Sequence, residues 1–196
     1  MFNRIVLAGA ALLVAALPAT AQTWKIDSAH SSASFTVKHM MVSNVHGRFG
    51  KVEGTVVYDG TNLAAAQVDA IIDGTTISTD NEKRDAHLKS PDFFDAAGFP
   101  TITFKSKRVE VVSPGRFKLI GDLTMRGKTS EVVLDGEGPT DPVNAQGGQR
   151  VGVTAATTLN RQDYGVSWSR TMDGGGYVVG DQVKITIELE LIRQTS

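Results

Sequence analysis

Between Trp24 and Gly50 apolar and polar residues alternate, break once and resume. Ala33, Phe35, Val37 and His39 fall on one face of an extended segment, and Ser34, Thr36 and Lys38 on the other, which is the two-residue period of a half-buried strand. The imidazole of His39 therefore shares the apolar face. Met40 to Val45 interrupts the period and reads as one helical turn ahead of Gly47. Alternation then continues from Phe49 through Val52, Gly54, Val56 and Tyr58.

Further runs of the same period occur at Val68, Ala70, Ile72; at Ile102, Phe104, Ser106; at Phe117, Leu119, Gly121, Leu123, Met125; and at Val151, Val153, Ala155, Thr157, Leu159. The clearest is the last in the chain, where Val183, Ile185, Ile187, Leu189 and Leu191 alternate with Lys184, Thr186, Glu188 and Glu190. That pattern fixes one buried and one wet face. With the runs at 52–59 and 128–137 it gives about eight strands, joined by connections short enough to make neighbours antiparallel. Apart from Met40–Val45, helical periodicity is confined to Asn81–Leu88 and to a turn at Ser90–Phe94, where Ser90 suits a cap and Pro91 a first helical position. The class is all-β. Alternation does not distinguish a closed barrel from a sandwich.

Five pieces of the chain decide between the two. Trp24, Ile26, Asp27, His30, Ser31, Phe35, His39, Gly47 and Phe49 are followed by TTISTDNEKRDAHLKSPDFFD (75–95), FPTITFKSKRV (99–109), GDLTMRGKT (121–129) and LNRQDYGVSW (159–168). In content, order and spacing the chain resembles the YceI-like family of polyisoprenoid-binding proteins. The resemblance implies an eight-stranded antiparallel, lipocalin-like barrel with short helical segments in its connections. It also implies one long isoprenoid-tailed lipid inside that barrel.

The N-terminus carries Arg4, thirteen apolar residues from Ile5 to Leu17, Pro18, and then Ala19-Thr20-Ala21. This is the form of a secretory leader cleaved after Ala21, and its apolar run is shorter than the ~20 residues that span a bilayer. One domain, 22–196, remains. Losing Arg4 leaves 19 basic against 21 acidic residues, a charge of −2 with neutral histidines, so no basic face is available for nucleic acid. There is no cysteine for a disulfide or an acyl anchor. A periplasmic destination without stable membrane insertion is expected, and a homodimer is the one assembly considered.

Chemistry is sparse. No cysteine nucleophile, G-x-S-x-G or S-x-x-K is present, and His30, His39, His46 and His87 do not fall at a recognised metal-ligand spacing. No catalytic residue, metal or cofactor is assigned. His30, three residues after Asp27, is read as a local loop-stabilising hydrogen bond. Asp173-Gly174-Gly175-Gly176 is read as a hairpin rather than a phosphate loop, because no helix or lysine follows it. Asp80, Glu82, Lys83, Arg84 and Asp85 are read as a solvated helix face.

A lipid-carrying barrel needs an apolar interior with a few polar groups at one end. Phe35, Val37, Val56, Ile72, Ile77, Ile102, Phe104, Leu123 and Met125 are the expected lining. Leu88, Phe93 and Phe94 either cap the core or guard a mouth, and His39 and Trp168 are expected near the polar end. A carrier of a quinone-like or prenyl lipid that does no bond chemistry follows as the leading function. A small lipid-modifying enzyme using a cavity histidine would show a titratable group of perturbed pKa in the cavity. A structural, stress-responsive envelope protein would show a fully packed interior.

Overall fold

The computed structural model describes residues 21–195, so the leader read at 1–21 lies outside the described residues except for Ala21. The chain forms β1 (Gln22–Ile26), β2 (Ser32–His39), β3 (Ser43–Phe49), β4 (Val52–Tyr58), β5 (Gln67–Asp73), β6 (Ile77–Ser78), α1 (Glu82–Lys89), β7 (Thr101–Ser113), β8 (Arg116–Met125), β9 (Lys128–Glu137), β10 (Val143–Ala145), β11 (Gly148–Asn160) and β12 (Val179–Arg193).

Eight staves close into a ring. β1 and β2 pair with successive stretches of β12, with Ile26 opposite Leu191 and Ser32 opposite Glu188, so together they make one long broken stave. β4 and β3 continue one another beside them, and β5 and β6 do the same beside β4 and β3. β7, β8, β9 and β11 follow as unbroken antiparallel neighbours. The ring shuts where β11 runs along β12, from Arg150 opposite Ile192 to Asn160 opposite Gln182. Closure gives every stave two neighbours, although β7 beyond Lys105 and β9 before Asp135 are strand-paired on one side only.

Bulky rings fit inside because facing positions are glycine. Gly47 lies opposite Phe35 and Gly136 opposite Phe117. A Cβ added to either would stand 2.2 or 2.3 Å from the ring, so each phenyl lies flat over its neighbour's backbone. Along β12 the apolar members point in, while Lys184, Thr186 and Glu188 are exposed. This is the reverse of the pattern on a membrane-spanning barrel.

Two local expectations change. Met40–Val45 is not a helical turn: Ser43 pairs with His39 and Val45 with Val37, leaving Met40, Met41 and Val42 as a tight connection. Cross-strand pairing overrides the local apolar run there. The charges at the start of α1 are not all solvated either. Arg84 Nε donates to Thr79 Oγ1 at 2.7 Å, and Asp85 Oδ1 accepts from the Thr79 amide at 2.8 Å, so both turn back onto a buried threonine. The Asn81 side chain caps the helix by accepting from the Arg84 amide at 3.0 Å.

Candidate functional site

Inward alternation around the ring encloses an apolar cavity, in which the centre of a water-sized sphere is free to occupy about 160 Å³. It extends from Leu63, Ala66 and Pro139 at one end of the barrel to Leu123, Met125 and Leu159 toward the other. A second cavity of about 90 Å³ lies under the segment that carries α1, walled by Val37, Leu88, Phe93, Phe94, Val166, Val179 and Val183. Phe35, Phe49, Met125, Leu159 and Ile185 line both. Only side chains therefore separate the two spaces. The Phe35 and Phe49 rings stand 5.9 Å apart, and Phe49 meets Phe94 edge-on at 5.7 Å. This aromatic partition divides the interior into its two chambers.

Of the expected lining, Phe35, Val56, Ile72, Ile102, Phe104, Leu123 and Met125 face the larger cavity, and Val37, Phe93 and Phe94 face the smaller. Three positions differ. Ile77 lies in a two-residue strand and is buried in the main core cluster without reaching either space. His39 is half-buried at the end of β2, past the point where Val37 closes the wall. Trp168 stacks outside Phe93 at 5.3 Å and meets His87 edge-on at 5.0 Å, so it backs the wall without forming it.

Two arginines close the upper end, and neither was singled out from the sequence. Arg126, in the turn between β8 and β9, donates to the carbonyls of Pro91, Phe93 and Gly165, fastening the segment after α1 over the smaller cavity. Arg161, buried just beyond β11, donates to the carbonyls of Val166 (2.6 Å), Trp168 and Gly180 (2.9 Å) and Val179 (3.2 Å), and to Asp181 Oδ1 (3.0 Å). Burial lowers the Arg161 pKa, and Asp181 offsets part of that. The Tyr164 hydroxyl is buried without a hydrogen-bond partner of ordinary geometry. Burial pushes its phenol up, and the nearby Ser130 side chain holds it back in part. Arg161 and Tyr164 both line the smaller cavity, yet the surface exposed there is entirely apolar. They present carbon to the space and turn their polar atoms away from it.

The cluster of Asp27, His30 and Glu190 lies outside these cavities. His30 Nδ1 sits 2.9 Å from Asp27 Oδ2, the local contact expected from their spacing, and Arg150 bonds both Asp27 (2.8 Å) and Glu190. Asp27, His30 and Glu190 have metal-like proximity, but Arg150 already takes up both carboxylates, making this an ion-pair network. The hydrogen bond from His30, reinforced by Arg150, holds Asp27 down to about 2, and Asp27 raises His30 above 6.5. The stabilisation from Asp27 is present above 3.8 and lost as pH falls toward about 2, whereas that from His30 is present below 6.5 and lost as pH rises through its raised value. Asp27→Asn is expected to return the His30 midpoint toward 6.5. An unchanged midpoint in an imidazole NMR titration would show that Asp27 is not what holds it.

With this geometry in place, the chain is identified by its relatives as well as its shape. A profile for the YceI-like domain matches residues 24–191, and the chain belongs to that family. A UPF0312 protein of Staphylococcus aureus is 38% identical over 165 residues, 84% of this chain and 94% of the relative. Among solved structures, a Campylobacter jejuni YceI protein superposes with a TM-score of 0.67 at 26% identity, covering 81% of this chain and 90% of that one. Burkholderia cenocepacia BcnA gives a TM-score of 0.72 at 22% identity, covering 84% and 98%. A polyisoprenoid binding domain from Saccharophagus degradans gives 0.65 at 13% identity, covering 88% and 99%. The last two are similar in fold.

Proposed function

We propose that this protein carries a polyisoprenoid lipid in its barrel, in the periplasm after loss of its leader, and performs no bond chemistry on it. The observation that carries the reading is the wholly apolar surface of the two adjoining chambers. Burial of hydrocarbon stabilises by ~0.8 kcal/mol per CH₂, which makes such a space a site for a branched tail and a poor one for a polar substrate. A cavity of this kind also counts against a purely structural envelope role. The family membership and the polyisoprenoid binding domain among the similar folds support the class of ligand.

Hydrophobic contact is non-directional, so the chambers select by tail length and branching, and head-group choice falls to residues at the ends. His39 and Trp168 stand at the upper end, where a quinone or other polar head would emerge. Native mass spectrometry of purified protein, followed by organic extraction, tests the reading: a prenyl lipid at near one per chain is the expected result. Protein that co-purifies with no lipid, and takes up no added prenyl alcohol or quinone, would refute it.

A further inference from the structure

At the upper end of the barrel the β2–β3 connection holds Met40, Met41 and Val42 in water at 45, 62 and 82% exposure, and Tyr177 on the β11–β12 connection is 53% exposed. The two connections are joined. The Met40 amide donates to the Val178 carbonyl at 2.8 Å, and Gly176 packs where an added Cβ would lie 3.5 Å from Met41 and 3.3 Å from Met172. Met40 and Met41 also adopt φ of 52° and 60°, a left-handed conformation that glycine, asparagine or aspartate occupies far more readily. Scattered surface hydrophobics are ordinary, but four of them gathered on two tied tips, two in strained backbone, form a patch.

Along both strands the patch follows directly on residues of the smaller cavity's wall. Val37 and Val179 line the cavity. Only Lys38 and His39 separate Val37 from Met40, and only Val178 separates Val179 from Tyr177. Lys38 and Arg170 are exposed beside the patch, and Asp163 and Asp173 are the acidic residues on the same connections, with Asp173 the nearer along the chain to Tyr177. Methionine adapts to irregular apolar surroundings, tyrosine suits an apolar–polar boundary, and flanking cations favour anionic head groups.

We propose that this tip docks on a lipid bilayer, with Met40, Met41, Val42 and Tyr177 seated at the boundary between head groups and acyl chains. A tail then passes between membrane and cavity without crossing water. The purpose of the contact rests on the carrier reading, but the contact itself is tested without cargo.

Flotation with vesicles of phosphatidylethanolamine and phosphatidylglycerol, and with phosphatidylcholine alone, decides it. The wild-type protein is expected to float with the vesicles, more strongly with the anionic ones. The double substitution Met41→Asp, Val42→Asp should reduce the bound fraction ~tenfold or more, since two apolar insertions are replaced by charges. Because both positions are exposed, the melting curve should be unchanged, and Tyr177→Asp on the other connection should weaken flotation independently. Absence of wild-type flotation, or equal flotation by the variants, would overturn the proposal. So would a patch that instead joins two copies, seen as a dimer lost on substitution without any vesicle binding. Uptake of a fluorescent prenyl alcohol in vesicle-free buffer is read separately. Failure of the wild type to load would defeat the carrier reading and leave the flotation result to stand on its own.

Discussion

Arg161→Met is expected to cost about 3–5 kcal/mol of folding stability. The arginine satisfies four carbonyls and one carboxylate brought in from residues 166–181, and methionine fills much the same volume while donating nothing. Buried acceptors left unpaired carry their full desolvation penalty, which exceeds the net worth of the bonds themselves. Among the described residues Asp181 would retain Gln162 as a side-chain donor, at 2.9 Å. Arg161→Lys should recover part of the loss, because an ammonium offers three donors from one point and cannot span carbonyls on both sides of the loop. The check is a urea midpoint shift at constant slope. A loss under about 1 kcal/mol would mean that water replaces the guanidinium and that the arginine does not hold this end of the barrel together.

The contrast between Arg161 and the cavity wall explains what the sequence could and could not reveal. Phe35, Val56, Ile72, Ile102, Phe104, Leu123 and Met125 were legible because they sit in strands, where direction is set by a period of two whatever the distant partners are. His39 falls on the same alternation, two residues beyond Val37. What alternation lacks is depth along the barrel axis, and the wall ends one inward position earlier, at Val37. Ile77 belongs to a strand of two residues, too short to have a period, and Trp168 to a loop with none. Arg126 and Arg161 fall inside two of the segments that carry the family resemblance, yet a charged residue beside a turn reads locally as solvated. Their engagement depends on carbonyls that arrive from up to 39 residues away, in the case of Arg126 and Gly165. The division of the interior into two chambers was hidden for the same reason, since the Phe35–Phe49–Phe94 partition joins three separate segments.

Leu123→Asp is expected to abolish lipid loading in protein that still folds. Leu123 lies on β8 opposite Ser130 of β9 and Phe104 of β7, with its side chain on the larger cavity and only partly buried by protein. A carboxylate there projects into a space that exposes no polar surface. Placing hydrocarbon against it would strip the charge of water at a cost of several kcal/mol, more than the tail contact it replaces. In the ligand-free protein the same carboxylate can draw water into the cavity, so the fold should lose less than the complex does. Leu123→Ala separates volume from charge, because it enlarges the space without polarity and should retain lipid while lowering the melting temperature. Loading is read as the mass of co-purified or added prenyl lipid per chain, alongside a thermal melt of each variant. A folded Leu123→Asp protein that loads as well as wild type would mean that the tail does not run past β8. The lipid would then have to lie in the smaller chamber or outside the barrel.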